Sequence, residues 1–516
     1  MLFNSPEFLF LFLPAVIVGY VWLIRNQPAL GLPWLAAASL FFYGWWNPRY
    51  VGLLLASVVF NYAAGSTLSR IRKAHPKKAR VLILLGVSGD LLLLGYYKYA
   101  NFFLDILASG GLARDHALDI VLPLGISFFT FTQIAFLVDV YQGKVREYNF
   151  IHYLVFVTYF PHLIAGPIFH HSEMMPQFAR QLDQPLRSFN LAAGLALFTI
   201  GLGKKVLIAD GLAADVGSVF DGAAQGYAVT LLEAWSGVLA YTLQLYFDFS
   251  GYSDMALGLS LLFGIRLPMN FYSPYKATSI IEFWRRWHLT LSRFLRDYLY
   301  IPLGGNRHGK ARRYLNLIVT MLLGGLWHGA GWTFVIWGGL HGIYLVINHF
   351  WRALRDRLGM TQSNGVGRVL SLLLTFLAVC VAWVFFRAAD LGTATRILSG
   401  MTGLNGVYLP VTWVAPLGGW AERLQSWGLN FSPLLIPHAP QALVTISPLL
   451  LAVWFLPNSL QCMRLARPSL NAQSIMAAPR LLTWVPNVRW AVLGGVAVAV
   501  CLLSLGRVSE FLYYQF

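Results

Sequence analysis

The chain has 516 residues, of which 57% are hydrophobic and only 11% charged, whereas a soluble domain carries about 25% charged residues. This excludes an ordinary soluble enzyme and predicts an all-α polytopic membrane protein. The formal net charge of +17 does not point to nucleic acid, because the basic residues sit in loops between apolar runs, where anionic headgroups and the positive-inside rule place them.

Length alone would suggest about three soluble domains. Apolar segments recur from end to end without a long polar linker, so residues 1–516 read as one integral-membrane domain. The N-terminus lacks a basic n-region and an evident cleavage site, so the first apolar run reads as a retained anchor. Candidate spans follow at 8–24, 30–46, 50–65, 81–97 and 120–140, then at 149–168, 189–208, 228–247 and 253–265. The last group is at 315–333, 334–350, 368–386, 442–457 and 490–506. The 253–265 run is short, and Pro161 and Gly166-Pro167 interrupt 149–168. Either can be re-entrant, which is tolerated where backbone is buried in protein or lines a cavity.

Arg70-Ile-Arg-Lys-Ala-His-Pro-Lys-Lys-Ala-Arg80 carries six basic residues and is therefore assigned to the cytoplasm. Alternation then puts 209–227, 266–313 and the Arg352, Arg355 and Arg357 loop inside, and 388–440 outside. The 209–227 loop fits poorly, because it holds Asp210, Asp215 and Asp221.

Within 266–313, Ser279-Ile-Ile-Glu282 reads as a capping box opening a helix to about Tyr300. On that helix Trp284, Trp287, Leu291, Phe294, Leu295 and Tyr298 share one face, with Arg285, Arg286, Arg293 and Arg296 on another. This predicts an interfacial amphipathic helix, with His288 at the edge of its apolar face. The arginines fit a positive-inside loop, and they equally fit a mouth that attracts a phosphorylated donor, since guanidinium matches phosphate oxygens.

Leu315 to Phe350 contains no Lys, Arg, Asp or Glu in 36 residues, yet holds His328. A span takes about 20 apolar residues, so the run can enter the membrane and turn back. An ionisable group at that depth suggests a functional site. The glycines at 324, 325, 329 and 331 equally permit a tightly packed histidine.

The remaining histidines divide by location. His75, His308, His116 and His438 fall in loops, His349 near a span end, and His341 in a helix-packing context. His152, His162, His170 and His171 cluster without a Cys or carboxylate set at ligand spacing, and Cys380, Cys462 and Cys501 are far apart, so no metal site is assigned.

Several segments together resemble the membrane-bound O-acyltransferase family, closely the branch containing the alginate O-acetylation membrane subunit. They are Lys98-Tyr-Ala-Asn-Phe102, Pro161-His-Leu-Ile-Ala-Gly-Pro167, Tyr246-Phe-Asp-Phe-Ser-Gly-Tyr-Ser-Asp-Met-Ala256 and Glu282-Phe-Trp-Arg-Arg-Trp-His288. Further along come Leu295-Arg-Asp-Tyr-Leu-Tyr300, Leu303-Gly-Gly-Asn306, Met321-Leu-Leu-Gly-Gly-Leu-Trp-His-Gly329 and the terminal Phe511-Leu-Tyr-Tyr-Gln-Phe516.

The resemblance implies 11 to 14 transmembrane or re-entrant helices around a tunnel. It also implies His328 as the signature catalytic histidine and His288 as the second active-site position. His328 would act as general base, and His288 would orient the donor or polarise its carbonyl. The implied activity is O-acetyl transfer from a cytoplasmic thioester, acetyl-CoA, across the bacterial inner membrane to an exopolysaccharide, with no permanently bound cofactor. Arg285, Arg286, Arg293 and Arg296 are candidate contacts for the donor's phosphates. Alginate is the first choice of polymer, with cellulose or peptidoglycan as alternatives. Expected partners are a periplasmic or membrane-anchored SGNH-type acetyltransferase, the exopolysaccharide synthesis and export complex, and membrane lipids, with no nucleic acid. A polysaccharide transporter or flippase is the rival class.

Overall fold

In hydrocarbon the backbone must satisfy its own hydrogen bonds, and the chain does so with helices. The structure, a computed structural model, describes residues 1–516 except 113–116, 146–148, 182–186, 360–363, 433, 435–438, 507–511 and 513–516. His116, His438 and the terminal aromatic motif apart from Leu512 lie outside the described residues.

Among the described residues, five helices are long and apolar enough to cross a membrane: Phe8–Asn26, Arg49–Ile71, Pro76–Ser109, Ser188–Ala224 and Gly365–Arg387. Their outer faces expose Phe10, Leu11, Val18, Leu84, Leu92, Val366, Leu370 and Leu374, an apolar belt that suits lipid. The fold is all-α and multi-pass. Its described β structure is one short parallel pair, Tyr408–Pro410 with Asn430–Ser432, inside the 388–440 segment.

The centre of the molecule is the 32-residue helix Leu231–Leu262, about 48 Å long at 1.5 Å per residue. It replaces the two separate spans expected at 228–247 and 253–265. The polar stretch between them, with Asp248 and Asp254, stays helical because the neighbouring helix supplies cations. Lys205 Nζ lies 2.7 Å from both Asp248 and Asp210, and Lys204 Nζ lies 2.6 Å from Asp254. A Cβ on Gly201 would meet the Gly251 carbonyl oxygen at 2.5 Å, so this pair of glycines is what lets the two backbones approach. Thr230 and Glu233 form a full capping box at the start of the central helix.

The 209–227 segment is likewise not a cytoplasmic loop. Ser188–Gly203 continues through a π-helical turn, Lys204–Ala209, into Asp210–Ala224. The turn that follows packs on the segment expected outside: Asn405 Nδ2 donates to the Val229 carbonyl at 2.9 Å and Arg396 to the Ala223 carbonyl at 2.9 Å. The other end of the central helix meets basic segments, with Arg266 Nε donating to the Arg467 carbonyl at 3.1 Å. Residues 209–227 and 266–313 therefore belong to opposite ends of the helical pair. The alternation that put both segments on one side counted 228–247 and 253–265 as two crossings where the chain has one helix.

The expected continuous helix from 279 to 300 is broken into Ile280–Trp284, Leu289–Leu295 and a π-helical turn, Arg296–Tyr300. Ser279 does cap it, accepting from Glu282 N–H, but the Glu282 carboxylate turns to the Thr278 N–H and hydroxyl at 2.8 and 2.9 Å. Partial burial would raise the Glu282 pKa. The hydrogen bonds from Thr278 and Arg286 outweigh that and hold it below the usual carboxylate range. Trp284, Trp287, Leu291, Phe294 and Leu295 are buried in protein, so the segment is a wall of the core and not a helix lying on the interface.

Candidate active site

Residues 315–350 fall within a hairpin of two helices, Gly309–His328 and Trp332–Arg357, turning at 329–331. Its arms touch backbone to backbone. A Cβ on Gly325 would meet the Phe334 carbonyl at 2.2 Å, and one on Gly338 the Met321 carbonyl at 2.3 Å. At the open end, Arg313 Nη2 donates to the His349 ring at 2.9 Å. Both arms thus begin and end together, and His328 is the last residue of the first arm.

A helix end leaves carbonyls unpaired and carries partial negative charge. Lys98 meets that need, its Nζ donating to the Trp327 carbonyl at 2.5 Å and the His328 carbonyl at 3.1 Å. Tyr99 hydroxyl donates to the Leu326 carbonyl at 2.8 Å. The Lys98-Tyr-Ala-Asn-Phe102 motif therefore positions the signature histidine from a distant helix.

His288 sits at the break in the 279–300 segment with φ of +41°, a left-handed conformation that is uncommon for a non-glycine residue and concentrates at functional sites. Asn270 holds it there. The Asn270 carbonyl accepts from Leu289 N–H at 3.0 Å. Its side-chain oxygen lies 3.0 Å from His288 Nδ1 and 2.8 Å from the Thr290 hydroxyl.

The two rings face each other with centroids 6.5 Å apart, and both residues are buried. Phe249 packs on His288 at 4.7 Å, while Trp327, Trp337 and Phe386 surround His328 at 4.9, 5.1 and 5.1 Å. Among the described residues, His288 Nε2 and His328 Nδ1 have no hydrogen-bond partner. Buried polar atoms are normally paired, and in this aromatic box the unpartnered nitrogens also include Trp327 Nε1, Trp337 Nε1 and His341 Nε2; what sets His288 and His328 apart is that each presents a basic ring to the other at close range. His341 joins the same aromatic cluster and accepts from Trp284 Nε1 at 3.3 Å, in keeping with a packing role.

Two cavities lie near this pair, the smaller reaching His328 and the larger lined by Leu289 and Thr290, the neighbours of His288 in sequence. One of about 540 Å³ is lined by Arg285, Arg293, Arg296, Arg313, His349, Thr290 and Met321. A smaller one of about 70 Å³ is lined by Lys98, Ser127, Ile164, Trp327 and His328. Of the four arginines expected at the donor, three line the larger cavity and Arg286 does not, being paired with Glu282 at 2.7 Å. Arg293 is held by Glu173 in a two-pronged contact at 2.6 and 2.8 Å, and Arg296 by Asp297 at 2.6 Å. Arg285 and Arg313 carry no ion pair among the described residues.

The histidines of 149–171 serve packing. His162 Nε2 bonds the Phe156 carbonyl at 3.0 Å, and His170 joins Tyr298 at 2.8 Å, which in turn donates to Asp139 at 2.9 Å. Among the described residues no group of three metal-ligating side chains assembles.

The histidine pair walled by aromatics lies at the tip of a glycine-packed hairpin within a multi-pass helical fold, and the comparisons show the class of protein to which that fold belongs. Residues 16–388 match the membrane-bound O-acyltransferase family, and the chain belongs to it. It is an O-acyltransferase. The chain is similar to a peptidoglycan O-acetyltransferase of Helicobacter pylori, 47% identical over 79% of this chain and 81% of that one. It is also similar to two proteins named probable alginate O-acetylase AlgI. That of Pseudomonas aeruginosa is 45% identical over 78% of this chain and 75% of that one. That of Pseudomonas putida is 39% identical over the whole of both.

Sequence reasoning assigned no role to Lys98, Asn270 or Arg313. Lys98 could have been found as a lone cation ending an apolar run. Asn270, in a polar turn after Leu267-Pro268, gives no periodic or spacing signal.

Proposed function

We propose that this protein O-acetylates an extracytoplasmic polysaccharide, drawing the acetyl group from acetyl-CoA on the cytoplasmic side of the inner membrane. The observation that carries this reading is the close pair His288 and His328, each with an open ring nitrogen, near a cavity lined by arginines and a pocket with Lys98. The arginine cavity suits the donor's phosphates, with Arg285, which carries no ion pair among the described residues, the first contact for them. Neutral His328 takes the proton of the acceptor hydroxyl as its oxygen bonds to the acetyl carbon. The carbon–sulfur bond breaks, and the thiolate departs through the arginine cavity to be protonated there. His288 keeps the donor at the crossing point.

The names of the relatives make peptidoglycan and alginate the two acceptor polymers to assay first. An SGNH-type acetyltransferase outside the membrane completes delivery where the polymer is the final acceptor, meeting this chain at 388–440. A pull-down of that partner, lost on trimming 404–428, tests the contact. For the reaction itself, ester content and polymer yield are measured together in a deletion strain carrying His328→Ala. Loss of esters with polymer yield and protein abundance intact supports the proposal. Normal esters in that strain, or loss of polymer in their place, would overturn it in favour of a scaffold or a transporter.

A further inference from the structure

We infer that Asn270 is a positioning residue that fixes His288 as its Nδ1–H tautomer, so that the unpartnered Nε2 carries a lone pair. The inference rests on the acyl-transfer reading of the site.

The hydrogen bonds around Asn270 leave one assignment. Thr290 Oγ1 accepts from Ile168 N–H at 3.0 Å, so the hydroxyl proton is free to be donated. It points to Asn270 Oδ1 at 2.8 Å, and Thr290 N–H reaches the same oxygen at 3.4 Å. Flipping the amide would set its NH2 against the Thr290 N–H, which can only donate, and would lose the acceptor for the Thr290 hydroxyl, so the oxygen faces Thr290 and His288. An amide oxygen only accepts. His288 Nδ1, 3.0 Å away, must therefore carry the proton, and Nε2 carries none while the ring is neutral. Asn270 Nδ2 turns the other way, to Ser253 Oγ at 3.4 Å on the central helix. Asn270 and Thr290 are both nearly inaccessible, so water does not compete for these bonds.

Neutral His288 consequently cannot donate from Nε2 to polarise a thioester carbonyl. Its Nε2 is left as an acceptor-only nitrogen in the site, oriented by a second residue in the way a supporting carbonyl orients a working imidazole. The left-handed backbone at His288 belongs to the same device, because it lets one asparagine hold 288, 289 and 290 together.

The test uses the full-length protein in bilayers with 15N-labelled histidine, the His288 signals being assigned by difference from His288→Gln. The expected wild-type spectrum has Nδ1 protonated and Nε2 bare. Asn270→Asp, which keeps an acceptor at the same place, should retain that signature and most of the acetyl transfer. Asn270→Ala should lose the tautomer preference and about 10- to 100-fold in transfer. A wild-type His288 protonated at Nε2, or an alanine variant with unchanged tautomer and rate, would overturn the inference. Where the alanine variant does not accumulate, the wild-type tautomer and the aspartate rescue decide. Full activity in His328→Ala would instead remove the acyl-transfer reading while the tautomer result stands.

Discussion

The helical pair Ser188–Ala224 and Leu231–Leu262 and the hairpin of Gly309–His328 and Trp332–Arg357 bury polar groups in different ways. In the first, each buried lysine finds carboxylates within 2.7 Å. In the second, the helix carbonyls at the tip are satisfied by Lys98 and Tyr99, while ring nitrogens of His288 and His328 stay open. Charge in the scaffold is cancelled where it lies, whereas the site keeps two neutral imidazoles with an unpartnered nitrogen each. The motif Tyr246-Phe-Asp-Phe-Ser-Gly-Tyr-Ser-Asp254 belongs to the scaffold in this sense, although its aspartates look catalytic in isolation.

The comparison can be broken at either end. His328→Ala should cost about 10²- to 10⁴-fold in acetyl transfer with no change in thermal midpoint in detergent, and a matching loss of stability would erase the distinction. Lys205→Met strands Asp248 and Asp210 and should destabilise by about 3–5 kcal/mol, read as a fall in midpoint and abundance. Combining it with Asp248→Leu and Asp210→Leu should recover most of that loss, since replacing a buried ion cluster with apolar groups is often neutral. Gly338→Ala forces the hairpin arms apart at Met321 and should cost about 1–3 kcal/mol together with activity, because it moves His328. The smallest effect is expected from Arg285→Ala, a several-fold rise in donor KM of about 1 kcal/mol or less at unchanged kcat, weakening further in high salt.

Both candidate histidines were legible in the sequence, because an imidazole deep in an uncharged run and another in a tryptophan-rich basic segment are unusual wherever they occur. The alternation of buried tryptophans and exposed or half-exposed arginines along 284–296 was legible too, although the helix carrying it is not continuous. Nothing in Arg286-Trp287-His288-Leu289 signals a left-handed residue, since the cause lies 18 positions earlier at Asn270. The central helix was misread for a related reason. Local hydropathy drops across Asp248 to Asp254, and the compensating lysines sit on another helix. In each case the missing information was a tertiary partner.

The contact between Arg313 and His349 also bears on how the chain is threaded through the bilayer. An element whose two ends are tied together contributes an even number of crossings, so everything from Gly365 onward keeps the orientation it would have without the hairpin. Compartment reporters fused after Asn306 and after Arg357 should therefore give the same signal. The hairpin that carries His328 could then vary in depth among related chains without inverting the segments that follow it.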